Sequence, residues 1–552
     1  MVEPASAQGR ADPALSQRGL LPSAGAFRWA SRASSPVWFR QTTRFQALRQ
    51  QFRRRGLGAP GIAGAPPVPS VVMSMKMFNK DTLPLPQNET TIAIDPTDGR
   101  RIVGGYNDYR GLVTDNFTGW TASRDRGSSI LRDGQIPPTT VLGVLVPSQG
   151  DPVVAADQDG NFFMGSFHFD GDDFNPNGIT ISKSPKAGSA NGVFSPACSG
   201  GADNDCWPIR KPVTQNNCTA SSGFFDDKPY IAVDRSVVGI GTPGSVYVVW
   251  TRFPCASGDF SSSILIAKCR PNLAACTAPV TLETTPGTGS AFDFVQLSHI
   301  VVAPTGKVYV TWVKHDGDGP LTQTARIRYQ LIYPTADPAS IGTLEPRRTV
   351  ATESMPIPWG TAPYPANYRS ATYPHVAVFG ARRSIIVWDR RTTKDVLFDF
   401  WWFDYGTGGS IVSRTTDNDG ATFSALKVIS SAWGHQSQPS VCGNFDSGHV
   451  IVAYYSNEND LTWSHSQDVY VATSVTGDPP YAATRVTLVS NDTEADPLLS
   501  DFFIGDYLEV ACQGDFAYVH YTANYAAKSA ALLGGAFPIR QQDNFLARIT
   551  LP

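Results

Sequence analysis

Eleven side chains stand where a recurring sequence pattern enters its first apolar strand or leaves its second, and each can do chemistry. Glu89, Asp151, Asp227 and Asp506 are carboxyl groups, able to move protons or attack carbon. Tyr373 and Tyr507 are phenols, and Lys228 is an ammonium group. Arg110, Arg252, Arg390 and Arg391 carry guanidinium groups, which grip carboxylates through two parallel hydrogen bonds. They are spread over most of the chain, so only a fold that gathers distant loops can make one site of them.

The pattern that carries them has a polar approach, a short strand of the type P-x-I-A-V-D, a Gly-containing turn, and a second strand of the type V-Y-V-V-W. It begins at Gln87, Asp151, Asp227, Gln296, Thr372, Gln438 and Gly505. A third alternating strand follows most pairs, as in GITISKS from Gly178, SILIAKC from Ser263, SIVSRTT from Ser410 and DVYVATS from Asp468, and a fourth ends near the next approach. Four-stranded units that cannot bury both faces alone, repeated around an axis, predict an all-β fold: a β-propeller of seven blades, or of six if one unit is an insertion. The last unit stops after its third strand, FLARITL from Phe545, so SVVMSMKMF from Ser70 is expected to supply its outer strand and close the ring. Residues 70–552 then form one domain. Loops entering the inner strands, and loops joining second to third strands, open on the same face of such a disk, which pools the eleven side chains at one mouth.

Composition narrows the partners. With 45 Lys+Arg against 48 Asp+Glu, the formal net charge is -3, which lacks the basic excess of a nucleic-acid binder. No apolar run reaches the roughly 18 to 20 residues of a membrane span. The eight cysteines show no paired CxxC spacing, which favours disulfides over zinc. Cys198 with Cys206 and Cys269 with Cys276 can close short loops, and Cys442 with Cys512 can bridge neighbouring units if both lie on inner strands. Residues 1–69 differ from the rest: ten arginines, no lysine, and only Glu3 and Asp12 as acids. They read as a leader or pro-segment with a Gly/Ala/Pro-rich linker, in which Phe45, Leu48 and Phe52 can line one face of a short helix.

Ser123 to Ile130 (SRDRGSSI) fits the S-x-D-x-G-x-[ST]-[WFI] turn called the Asp-box, and Thr416 to Phe423 (TDNDGATF) fits with Asn418 at the Asp position. With the strand repeats, NDYR at Asn107 to Arg110, DKP at Asp227 to Pro229 and IGDY at Ile504 to Tyr507, the chain resembles the sialidase-like, BNR-repeat propellers of secreted bacterial proteins. The resemblance implies an extracellular or periplasmic monomer acting on a glycan or glycoconjugate, and for a retaining sialidase it implies roles. Arg110, Arg252 and Arg390 or Arg391 would clamp a substrate carboxylate, aided by Lys228 and Asp506. Tyr507 or Tyr373 would be the nucleophile with Glu89 nearby, and Asp151 or Asp227 the acid/base. No FRIP-type motif stands near the first strand; PIR at Pro538 to Arg540 lies near the C-terminus. Three activities follow as expectations: a glycoside hydrolase for an anionic sugar, a non-catalytic glycan- or protein-binding propeller, and a polysaccharide lyase. No cofactor is called for. Asp170, Asp172 and Asp173 could hold a structural Ca²⁺, and His168 and His315, with Asp170 and Asp316, could bind a metal.

Overall fold

The computed structural model describes residues 72–550 except 84, 171–174, 220, 237–239, 257–258, 260, 287–292, 317–323, 338, 354–369, 394–406, 446, 461–465, 494, 497, 500–502, 526 and 529–538. Seven antiparallel sheets of four or five strands follow one another, each running from an inner to an outer strand. The inner strands are Gln87–Ile94, Ser148–Ala156, Ser222–Val233, Phe294–Val302, His375–Gly380, Gln436–Gly443 and Glu509–Gln513 for blades 1 to 7. Each packs beside the next, and the seventh packs beside the first. The fold is a seven-bladed β-propeller, as the repeats predict; the six-bladed alternative is set aside. The leader, its short helix, Asp172 and Asp173 lie outside the described residues.

Both faces of every blade press on a neighbour, which explains why the second strands read as continuous apolar runs rather than alternating ones. In blade 3, Val246, Tyr247, Val248, Val249 and Trp250 are all fully buried. The Asp that ends the repeat P-x-I-A-V-D has a local task. Asp95, Asp157 and Asp234 accept the backbone N–H of Thr97, Asp159 and Ser236, bending the chain into the turn to the second strand. The two S/T-x-D/N turns share one hydrogen-bond pattern. Ser123 Oγ accepts the Gly127 N–H and Asp125 accepts that of Ser129; Thr416 accepts the Gly420 N–H and Asn418 that of Thr422. Arg126 N–H bonds Arg100 C=O, so these turns share a face with the turns between first and second strands, away from the inner-strand entries.

Polar staples tie blade to blade. Trp312 of blade 4 donates its indole N–H to Glu283 of blade 3 at 2.7 Å, and Trp388 of blade 5 donates to Glu353 of blade 4 at 2.8 Å. Ring closure is the predicted one: Val72–Met77 pairs with Asp543–Thr550 as the outer strand of blade 7, placing Met75 opposite Ala547. The three disulfides expected from spacing are present, and Cys218–Cys255, at the start of blade 3, is a fourth. Cys442 and Cys512 lie on the inner strands of blades 6 and 7. No helix among the described residues is long and apolar enough to cross a membrane.

Because Cys442–Cys512 spans 70 residues and crosses between blades, replacing both cysteines with serine should cost about 4 kcal/mol of unfolding free energy by the chain-entropy account. Urea midpoints of the double variant and the wild type measure this, and equal midpoints would refute it.

Candidate functional site

One backbone device aims side chains at the axis. Glu89, Asp151, Lys228, Leu297 and Gln438 all have φ between 48° and 59°, a left-handed conformation that costs a non-glycine residue about 1–2 kcal/mol. Each sits at the entry of an inner strand, where the pairing with the second strand skips a residue: between Asn88 and Thr91, Gly150 and Val153, Asp227 and Tyr230, Gln296 and His299, and Ser437 and Ser440. Such a bulge re-aims the side chain it carries. Blade 7 uses Gly505 (φ 94°) at its entry, and a Cβ there would lie 2.7 Å from the Glu89 nitrogen.

Three blades thereby converge on an ammonium group from a fourth. Lys228 Nζ, from blade 3, lies 3.0 Å from Glu89 Oε1 of blade 1, 3.0 Å from Asp151 Oδ1 of blade 2 and 2.6 Å from Asp506 Oδ2 at the entry to blade 7. The four side chains are 0–3% exposed. Glu89 Oε1 also accepts the Asp506 N–H, and its Oε2 accepts the Asn107 amide at 2.8 Å. Tyr507 lays its ring near the Lys228 ammonium, 5.7 Å from centroid to nitrogen.

Glu89 and Asp151 share the Lys228 ammonium, and no donor among the described residues meets Asp151 Oδ2. Burial, and then the charges of Asp151 and Asp506, push the Glu89 acid well above the usual carboxylate range against the opposing pull of Lys228. The protonated form of Glu89 is thereby favoured more than in an ordinary carboxyl group.

Beneath this layer lies a second. Tyr230 donates to Glu509 at 2.8 Å across the ring, and Glu509 also accepts the Ile92 N–H. Tyr230 packs on His299 at 4.2 Å between centroids, His299 stacks on His375 at 4.3 Å, and Tyr373 meets His375 edge-on at 4.7 Å. Burial lowers His375 to about 3, so its ring is neutral, and raises Glu509 to about 7. These residues were not among the sequence candidates, but a signal existed. Tyr230, His299 and His375 each fall two residues after an entry position, on the same side of the inner strand.

The sequence candidates divide. Glu89, Asp151, Lys228, Asp506, Tyr373 and Tyr507 meet at the axis. Neither candidate phenol bonds a carboxylate: Tyr507 donates to Pro152 C=O and Tyr373 to Ser298 C=O. The phenol that does so at the axis is Tyr230. Asp227, next to Lys228, turns toward blade 4 and accepts the Gln296 amide. The arginines do not gather into one clamp. Arg110 is held by Asp108 and Asp133, Arg252 by Asp226, and Arg390 by Glu353, while Arg391 is buried opposite Gly409 on the blade 5 ladder. His168 is buried in blade 2 and His315 stacks on Phe294 in blade 4, so they do not form a pair. No cluster of three His, Cys, Asp or Glu among the described residues is placed to hold a metal.

No family model matches the chain, and no curated protein does. Among solved structures it is similar to the GH93 alpha-L-arabinofuranosidase of Fusarium graminearum in complex with arabinobiose, at 10% identity and a TM-score of 0.39, covering 75% of this chain and 95% of that one. It is also similar to the phage phi92 endosialidase (10% identity, TM-score 0.43, 87% and 69% covered) and to the Trypanosoma rangeli sialidase in complex with 2,3-difluorosialic acid (11%, 0.37, 76% and 55%).

Glu509 yields a test of the axis. Its folded pKa is raised from 4.5 to about 7, so the folded state holds this proton more tightly than the unfolded chain does. Its contribution is complete below about pH 4.5 and is lost as pH rises to about 7, a loss of about 3 kcal/mol. Asp389, also raised to about 7 by burial, acts with the same sign. Glu509→Gln should flatten the decline in urea midpoint between about pH 5 and about pH 8; an unchanged slope would count against the assignment.

Proposed function

We propose that this protein acts on glycans as a retaining glycoside hydrolase whose chemistry is carried by the axial carboxyl groups. The observation that carries the reading is the convergence of Glu89, Asp151 and Asp506 on Lys228 by way of a strained backbone conformation repeated at the blade entries. Strain of this kind persists where the surrounding structure enforces it, and it gathers at working sites. Glu89, whose acid is pushed well above the usual carboxylate range, is the group to protonate the leaving oxygen, and Asp151 the one to attack the anomeric carbon. Glu89 Oε1 and Asp151 Oδ1 are no farther apart than twice 3.0 Å, since both bond Lys228 Nζ. That limit lies below the about 6.5–9.5 Å that leaves room for the water of an inverting enzyme, so retention is the course proposed.

The charge balance argues for a neutral sugar over the anionic one expected from sequence. One ammonium stands among three carboxyl groups, and Arg110, Arg252 and Arg390 are already paired. The four disulfides fit a protein of an oxidising compartment. A second reading, a non-catalytic glycan-binding propeller, is favoured by the burial of the cluster, whose side chains are at most 3% exposed.

Incubation with a panel of neutral and anionic oligosaccharides, with the product anomer followed by NMR, separates the two. Release of a neutral sugar with retained configuration is expected, and Glu89→Gln should lower kcat/KM by about 10²-fold or more while the protein stays folded. Binding on a glycan array without release anywhere in the panel would favour the second reading, and a fully active Glu89→Gln would refute the first.

A further inference from the structure

We infer that Asn107 is the positioning residue of the axial cluster, holding Glu89 as its proton donor and Asp151 as its partner. The kinetic part of this inference rests on the hydrolase reading; the structural part does not. Asn107 comes from the second strand of blade 1, Ile102–Asp108, and is 5% exposed. Its Oδ1 accepts the Asp151 backbone N–H at 2.8 Å, and its Nδ2 donates to Glu89 Oε2 at 2.8 Å. The backbone N–H leaves no ambiguity about the amide: the atom facing Asp151 must be the oxygen, so the atom facing Glu89 must be the donor. One side chain thus fixes a carboxyl group of blade 1 and the entry backbone of blade 2. With Lys228 and the Asp506 N–H on Oε1, both Glu89 oxygens are held and the carboxyl plane cannot turn.

The approach is close enough to restrict the neighbouring residue. A Cβ at Gly150 would lie 2.7 Å from Asn107 Oδ1, and Gly150 has φ of 118°.

The repeat supplies its own control. Asn107 lies two residues beyond Gly105, which pairs with Thr91. The same position holds Phe167 in blade 2, Thr251 in blade 3, Val313 in blade 4, Asp389 in blade 5 and Tyr455 in blade 6. Asp389 anchors the next blade as Asn107 does, accepting the Gln438 N–H at 3.2 Å. A carboxylate at this position therefore keeps the anchor to the following blade. What only the amide supplies is an N–H for Glu89. Asn107→Asp separates the two tasks: it preserves the acceptor for Asp151 N–H and replaces the donor to Glu89 with an acceptor.

The test compares wild type, N107D and N107S. Isotope-edited infrared spectroscopy with labelled glutamate, and the Glu89→Gln variant to identify the band, follows the Glu89 carboxyl through a pH titration. In N107D the protonated band should persist to a pH higher by one unit or more than in wild type, because the donor that favoured the charged form is gone. N107S, which supplies a hydroxyl but not the reach of the amide, should shift it in the same direction. On a substrate found in the oligosaccharide panel, N107D should lower kcat about tenfold or more, change KM less than twofold, and move the alkaline limb of the pH–rate profile upward. A Glu89 titration identical in wild type and in folded N107D and N107S overturns the inference. Absence of any sugar release by wild type would instead overturn the hydrolase reading and leave the infrared result to decide the role of Asn107.

Discussion

One ammonium group surrounded by three carboxyl groups is the contact on which the centre of the molecule depends. Lys228 has three N–H donors, and three blades each send it one carboxyl group. Buried charges are costly unless paired and fully hydrogen-bonded, and here every Lys228 donor has an acceptor. Burial, and then the charges of Asp151 and Asp506, favour the protonated form of Glu89 against the pull of Lys228.

The rest of the ring is built so that this hub has fixed walls. Glu283 and Glu353 each receive an indole N–H and a guanidinium from the next blade, Trp312 with Arg328 and Trp388 with Arg390. Asp419 joins Lys307 and Tyr309 of blade 4 to Arg382 of blade 5. The seam between first and last blades carries polar bonds as well, Asn88 to Gln542 and Thr90 to the His520 carbonyl. Arginines that the sequence offers as ligands for an anion are thereby used as mortar. Their carboxylate partners lie on the same blade for Arg110 and Arg252, and one blade back for Arg390, and neither relation is visible from spacing along the chain.

How far the sequence could be read follows from what each feature depends on. Blade number, strand order and ring closure come from local pattern: β-branched and aromatic runs, Gly turns, and the Asp that bends the first turn. All of these act within a few residues, and all stood in the repeats. The gathering of Glu89, Asp151, Lys228 and Asp506 at the axis was also legible, because repeat position alone places them. What repeat position does not reveal is the direction of a side chain after a bulge. Asp227 and Lys228 are neighbours, yet one turns to the next blade and the other to the axis. The second layer was missed for a different reason: Tyr230, His299 and His375 sit inside apolar strand patterns, where a ring reads as core until the partner across the axis is known.

On the hydrolase reading, the burial that favours the acid form of Glu89 also sets the terms on which a sugar could reach it. A hydroxyl group both donates and accepts one hydrogen bond or more, so sugar hydroxyls can replace the Lys228 contacts to the carboxyl groups and, in turn, accept from the freed ammonium. A sugar carboxylate can do only the second, and it would add a further negative group beside three carboxyl groups. Entry of a neutral sugar would then keep every donor paired and water excluded, and so would preserve the raised pKa of Glu89 while a glycosidic bond breaks. The same bookkeeping predicts that opening the cluster to bulk water without a ligand would lower the Glu89 pKa and discharge the acid, so closure around the substrate and competence of the proton donor are one condition rather than two.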